Sequence, residues 1–307
     1  MKLALSLLLL STPLRAAPAP YGILLLAHGG DASWNDEVAS LRGRVDAKVP
    51  TEAALGMADP KSLQAAVDRL EKRGVGRIVA VPLFVQSRSE VLDQTRYALG
   101  LADKPSEVLR AGLARMALAH APHGTHGGAA AAHHGHSMSF SLERVTAREP
   151  IAMSRALDDH ELVGRILNER ARALSRGEAE RLVLVAHGPV DEAAVPVWKG
   201  TMAALCAMAS KGTKMLDCAS ALLRDDAAPE VRAAAVKDFR EKVSRAGKGS
   251  RAIVLPVLIA RGGIEKKVVR DLAGLDYAWD GKTLMPHAGF DAWVLERAAT
   301  ADWAGRP

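Results

Sequence analysis

The sequence predicts an α/β protein of two similar lobes, each a parallel sheet flanked by helices, with a disordered His-rich insert in the first. Three observations predict it. The run Ile23-Leu24-Leu25-Leu26-Ala27-His28-Gly29 returns as Leu182-Val183-Leu184-Val185-Ala186-His187-Gly188. Apolar runs of this length, without polar alternation, read as strands covered on both faces, the pattern of a parallel sheet. A second strong run, 77–85, returns as 251–259, each with an internal proline, Pro82 and Pro256. Finally, strand and helix patterns alternate through both halves, which implies parallel pairing by right-handed crossovers.

In the first half, the strand 23–27 leads into a helix over 34–49, where Val38, Leu41 and Val45 recur at helical spacing. A short strand follows at 52–57. Asp59 is an N-cap and Pro60 a first-turn proline for a helix to Arg73, which Gly74 stops. The strand 77–85 precedes a helix over 90–101. From Lys104 to Met138 the pattern dissolves. Alternation resumes as a strand over Ser139 to Thr146, and His160 to Leu174 is an amphipathic helix.

The second half repeats the order: strand 181–186, helix 192–209, and a strand 215–223 ending in Arg224-Asp225-Asp226. Pro229 opens a helix to Ala246. Strand 251–259 and helix 263–273 follow, then Tyr277 to Leu284, Pro286-His287 and a last helix. His160 and His287 each precede the final helix of their half. The boundary falls at Ser175-Arg176-Gly177, giving one domain over 18–175 and another over 176–307.

With 307 residues and 49% hydrophobic content, the chain can bury two cores, but aromatics make up only 4%, so these cores are aliphatic. The net charge of +6 and pI near 9.4 favour anionic partners. Lys and Arg are dispersed and not interleaved with aromatics, which favours a small polyanionic ligand over nucleic acid. Residues 1–17 read as a secretory signal, with Lys2, an apolar core from Leu3 to Leu10, and Ala16-Ala17 for cleavage. That places the mature protein in the periplasm or outside the cell. No later stretch approaches the roughly 20 apolar residues of a membrane span. Cys206 and Cys218 either pair in an oxidising compartment or remain two buried thiols; their spacing leaves both open.

His28 and His187 end their strands at the edge where open α/β sheets bind ligands, and the following glycine lets the chain turn. Glu90 and Glu265 follow the neighbouring strong strands, so each histidine is expected to face a glutamate. Imidazole with carboxylate suits cobalt, nickel, zinc or ferrous iron, and also suits proton transfer. Either glutamate also has a plain reading, a carboxylate favoured at a helix start. Six of the ten histidines, His120, His123, His126, His133, His134 and His136, fall between Ala119 and Met138 among Gly and Ala. Such a tract cannot bury a core and is expected to bind several divalent ions weakly. No Gly-x-Ser-x-Gly elbow and no Gly-x-x-x-x-Gly-Lys-Ser/Thr loop exists, which argues against a serine hydrolase and against ATP use. Both halves have Ala before His-Gly where histidine phosphatases have Arg.

Strand-Ala-His-Gly, a Pro-opened helix and strand-Val-Pro-Leu-Phe-Val resemble the class II tetrapyrrole chelatases of the CbiX type. Leu157-Asp158-Asp159-His160 resembles that family's stretch before its last helix. The resemblance covers nearly the whole chain outside the leader and the insert. It implies ATP-independent insertion of a divalent metal into a polycarboxylate tetrapyrrole held between two lobes of a monomer. It maps the family's first ligand histidine onto His28 and, by repeat, onto His187. The sequence departs where the family has Gly-x-His: Arg88-Ser89-Glu90 and Gly263-Ile264-Glu265 stand there. A periplasmic metal-binding or metal-delivery protein on the same fold is the alternative.

Overall fold

A computed structural model describes residues 20–56, 58–107, 109–111, 141–177, 179–245, 250–260 and 263–302. The expected signal and the histidine tract lie outside these residues. The first half supplies β1 (Tyr21–Ala27), α1 (Ala32–Asp46), β2 (Thr51–Leu55), α2 (Pro60–Lys72), β3 (Arg77–Pro82), α3 (Glu90–Ala98), β4 (Ile151–Met153) and α4 (Glu161–Leu174). The second supplies β5 (Glu180–Ala186), α5 (Val195–Ser210), β6 (Asp217–Leu222), α6 (Pro229–Ser244), β7 (Arg251–Pro256), α7 (Ile264–Asp271), β8 (Tyr277–Ala278) and α8 (Gly289–Ala299). A 3-10 turn, Glu192–Ala194, leads into α5.

The two sheets are parallel and share one order, β2-β1-β3-β4 and β6-β5-β7-β8. Their registers match as well. Leu26 stands opposite Pro82, and Val185 opposite Pro256. The central strands are covered on both faces, as the unbroken apolar runs require. Ile23, Leu25 and Ala27 face the inner core, while Leu24 and Leu26 face α2 and its neighbours. In β5, Leu182, Leu184 and Ala186 face inward and Val183 and Val185 outward. Leu25 is fully buried, so Leu25→Ala would cost about 2–5 kcal/mol.

The inner core is shared. Helix α4 packs on β7 and α5, and α8 packs on β3 and α1, so each half's last helix covers the other half's sheet. The contacts are reciprocal. His160 Nε2 lies 3.1 Å from Glu296 of α8, and His287 Nε2 lies 3.5 Å from Glu169 of α4. Glu169 follows His160 by nine residues, and Glu296 follows His287 by nine. Residue i meets j and j meets i, the signature of an approximate two-fold axis. The chain boundary at 175–180 separates the sheets, but packing does not divide there.

Several sequence expectations change. The alternating segment 139–146 forms no strand over its described residues; Leu142 is 53% exposed, and Val145 N donates to Ala98 O, so the segment lies over helices. The fourth strand is Ile151–Met153 instead, paired with β3. Pro82 and Pro256 end their strands, since proline offers no N–H to continue a ladder. Cys206 of α5 and Cys218 of β6 form a disulfide, with Cα atoms 5.6 Å apart.

Candidate active site

The carboxyl edge of the first sheet is built around His28. Asp31, three residues past the histidine, caps α1 by accepting from Trp34 N at 2.9 Å, and the helix starts at Ala32. Trp34 then folds back. Its indole Nε1 donates to His28 O at 2.7 Å, and its ring stacks on the imidazole, centroids 5.2 Å apart and planes 26° apart. Phe84, just past β3, meets the imidazole edge-on at 6.5 Å. A Cβ on Gly30 would lie 2.4 Å from Trp34 Cδ1, so glycine there makes the stack possible. His28 Nδ1 lies 3.1 Å from Gly29 O, an acceptor. For that contact to be a hydrogen bond, Nδ1 must carry the proton.

The loop after β3 carries Glu90 at the same end of the sheet, since β1 and β3 are neighbours. Ser89 caps α3, and Glu90 is its first residue. The second lobe grips this loop. Glu90 Oε1 accepts from Asp191 N at 3.0 Å, Trp198 Nε1 donates to Arg88 O at 3.0 Å, and Gln86 Nε2 donates to Thr201 Oγ1 at 2.8 Å. Glu90 is therefore a bridge between lobes.

The second edge has different chemistry. His187 Nδ1 lies 2.8 Å from Gly188 O, and Nε2 lies 3.0 Å from Asp226 Oδ2. Both partners accept, so a ring that satisfies both carries both protons and is an imidazolium. The pKa direction agrees. Burial pulls the His187 pKa down, but the hydrogen bond and charge of Asp226, the Gly188 carbonyl and the charge of Asp225 outweigh it and raise the value. His187 in turn holds the Asp226 carboxyl below its usual range. Gly188 has φ +81 and the turn needs glycine there, whereas Gly29 is outside the left-handed region, so the turn argument holds for one histidine of the two.

Behind this pair, the Asp225 carboxylate is buried against Arg232 and Lys267. Arg224 reaches back to Val190 O at 2.9 Å and Glu192 Oε1 at 2.7 Å, fixing the loop that presents Asp191. The carboxylate that meets His187 Nε2 is thus Asp226, from the end of β6; Glu265 stands in the first turn of α7. Sequence reasoning missed Asp226 and Trp34. Arg224-Asp225-Asp226 after a strand was the signal for the first, and a tryptophan six residues past His28 the signal for the second. Among the described residues, no group of three or more His, Cys, Asp or Glu is placed to hold a metal. The six histidines of the tract lie outside them.

Residues 22–88 match the CbiX family model. The match runs from β1 through the loop after β3 and includes His28; Glu90 lies two residues beyond it. Over that segment the CbiX-type class II chelatase resemblance read in the sequence is borne out. The whole fold is chelatase-like. SirB from Bacillus subtilis with Fe3+ superposes with a TM-score of 0.57 at 16% identity, covering 91% of this chain and 94% of that one. The sirohydrochlorin chelatase SirB from Bacillus subtilis subspecies spizizenii in complex with cobalt gives 0.55 at 14% identity, with the same coverage of both chains. At such identities the likeness is one of fold. No curated protein matches the chain by sequence.

Proposed function

We propose that the protein is a CbiX-type chelatase that inserts a divalent metal into a sirohydrochlorin-like tetrapyrrole without ATP. The observation that carries this reading is His28, in the CbiX-matching segment at the carboxyl edge of the first sheet, with its ring held by Trp34 and Phe84. Insertion exchanges the two pyrrole N–H protons for one metal ion. The His28 imidazole binds the incoming metal or takes a proton, and the Glu90 carboxylate at the same end of the sheet does the same. The aromatic faces suit a flat macrocycle, and exposed Arg88 and Arg155 at this edge suit its carboxylates. Histidine with glutamate suits cobalt, nickel, iron or zinc, and metal choice belongs to measurement. One chain supplies both lobes and exchanges its own terminal helices, which supports a monomer.

Incubation with sirohydrochlorin and cobalt in the absence of ATP tests the proposal through the absorbance shift on insertion. A rate no faster than the enzyme-free reaction would refute it. In that event a metal-binding or metal-delivery protein is the second reading. Its favouring observation is Glu90 at the place of the family's histidine, with one oxygen already engaged by Asp191 N.

Export to an oxidising compartment is part of the proposal, supported by the apolar leader and by the Cys206–Cys218 disulfide. Among the described residues no helix is long and apolar enough to cross a membrane. The histidine tract 119–138 is proposed to collect divalent ions for the His28 edge. Its deletion should lower the number of cobalt ions bound at neutral pH, and an unchanged number would reduce the tract to a tether.

A further inference from the structure

The loop that carries Glu90 is tied from behind by a residue outside the proposed metal site. Asp158 is 1% exposed and has φ +49, a backbone conformation that Asp and Asn tolerate best among side-chain-bearing residues. Its carboxylate accepts from Ser87 N at 2.7 Å, from Ser87 Oγ at 2.7 Å and from Arg155 Nε at 3.1 Å. Ser87 Oγ also accepts from Ala156 N at 2.8 Å, closing the network. A buried carboxylate is tolerated when its oxygens are matched by donors in this way. Three of these four contacts fix Ser87, three residues before Glu90.

The second lobe shows the same scaffold without the carboxylate. Leu157 N donates to Phe84 O and Asp158 N to Val85 O; Leu284 N donates to Leu258 O and Met285 N to Ile259 O. The strand registers equate Pro82 with Pro256, so Met285 occupies the place of Asp158. Met285 is buried, but a thioether is only a weak acceptor and carries no charge. The backbone frame is common to both lobes, and the charged anchor for the loop is present in one.

We infer that Asp158 is the positioning residue of the first edge: through Ser87 it sets the 84–90 loop so that Glu90 reaches Asp191 and stays beside the His28 end of the sheet. The inference rests on the chelatase reading for its consequence, metal affinity, but not for its geometry. Asp158 acts through Glu90 and touches no reacting atom. The absence of an equivalent carboxylate at Met285 makes the second edge unable to hold Glu265 by the same means.

The Asp191 amide reports where Glu90 is, with or without metal. Amide exchange followed by NMR on the full chain tests the inference directly. In Asp158→Asn, exchange at both Ser87 and Asp191 should accelerate about tenfold, while amides of the second sheet keep their wild-type rates. Glu90→Ala should accelerate Asp191 alone. Cobalt titration supplies the second readout. Asp158→Asn should weaken binding about tenfold, the usual scale for a residue supporting a metal ligand, and the double variant with Glu90→Ala should be no weaker than Glu90→Ala. Ser87→Ala removes the two hydroxyl contacts from the loop side, keeps the backbone N–H on Asp158, and carries the test if Asp158→Asn fails to fold. Wild-type protection at Asp191 in both Asp158→Asn and Ser87→Ala, or additive losses of cobalt affinity, would overturn the inference. If the wild-type chain binds no cobalt, the chelatase reading fails, and the Asp191 exchange rates still decide whether Asp158 positions Glu90.

Discussion

At the end of β1 an imidazole lies between two aromatic rings; at the end of β5 an imidazole lies against a carboxylate. The strands, the Ala-His-Gly motif and the hydrogen-bond registers are the same. The difference comes from what the adjoining segments place beside the ring. In the first lobe the helix after the histidine starts early enough for Trp34 to stack back on it. In the second, the residues after β6 place Asp226 on His187 Nε2. One ring packs against aromatic faces, and the other meets a carboxylate that raises its pKa. A repeated motif therefore repeats a scaffold without repeating a chemistry.

The largest expected effect breaks the comparison at its centre. His28→Ala should lower cobalt insertion by about a hundredfold or more, the scale of a lost acid–base or ligand group. His187→Ala should change the insertion rate by less than about threefold, because its imidazole already faces two acceptors. Parallel single-turnover absorbance traces decide this, and equal losses in the two variants would erase the distinction drawn between the edges.

A smaller effect separates the lobes by their covalent staple. Both cysteines lie in the second half, twelve residues apart in sequence, and join α5 to β6. A closed loop of this length contributes about 3 kcal/mol in the chain-entropy account. Reduction, or Cys218→Ser with Cys206→Ser, should speed amide exchange across β5–β7 and leave β1–β3 close to wild type. Uniform acceleration in both sheets would show that the shared inner core unfolds as one unit.

The smallest effect is electrostatic. The His187 pKa is raised, so its contribution to stability is fully present below the unfolded value near 6.5 and is lost as pH rises through the folded value. The Asp226 pKa is lowered, so its contribution is present above about 3.8 and is lost as pH falls through the folded value. The pair stabilises most between about pH 4 and 6.5. Asp226 is largely exposed, so screening keeps the contribution to about 0.5 kcal/mol or less. Asp226→Asn should lower Tm slightly near pH 5.5 and converge with wild type above about pH 8. A gap that widens toward alkaline pH would contradict the ion pair.

Much of this molecule is legible in its sequence because its signals are local. Unbroken apolar runs declare buried parallel strands, and Asp59-Pro60 declares a helix start that the structure places at Pro60. His28 and His187 stand out because a strand that stops in His-Gly is uncommon and occurs twice. The alternation at 139–146 misled, since the true fourth strand is three residues long and its identity depends on pairing with β3. The exchange of α4 and α8 between sheets was not readable, because an amphipathic helix shows which face is apolar but not whose sheet will cover it. Asp158 and Asp226 were hidden for the same reason. A carboxylate's partner is set by tertiary geometry, and each finds its own across a loop that the sequence order does not reveal.

On the proposed function the first edge, and not the second, accepts the metal. Cobalt soaked into crystals of the full chain and located by its anomalous scattering tests this most directly. One principal cobalt peak is expected within about 2–2.3 Å of a His28 ring nitrogen, with the His187–Asp226 pair intact and bare. A principal cobalt peak on His187, or peaks of equal height at both edges, would contradict it.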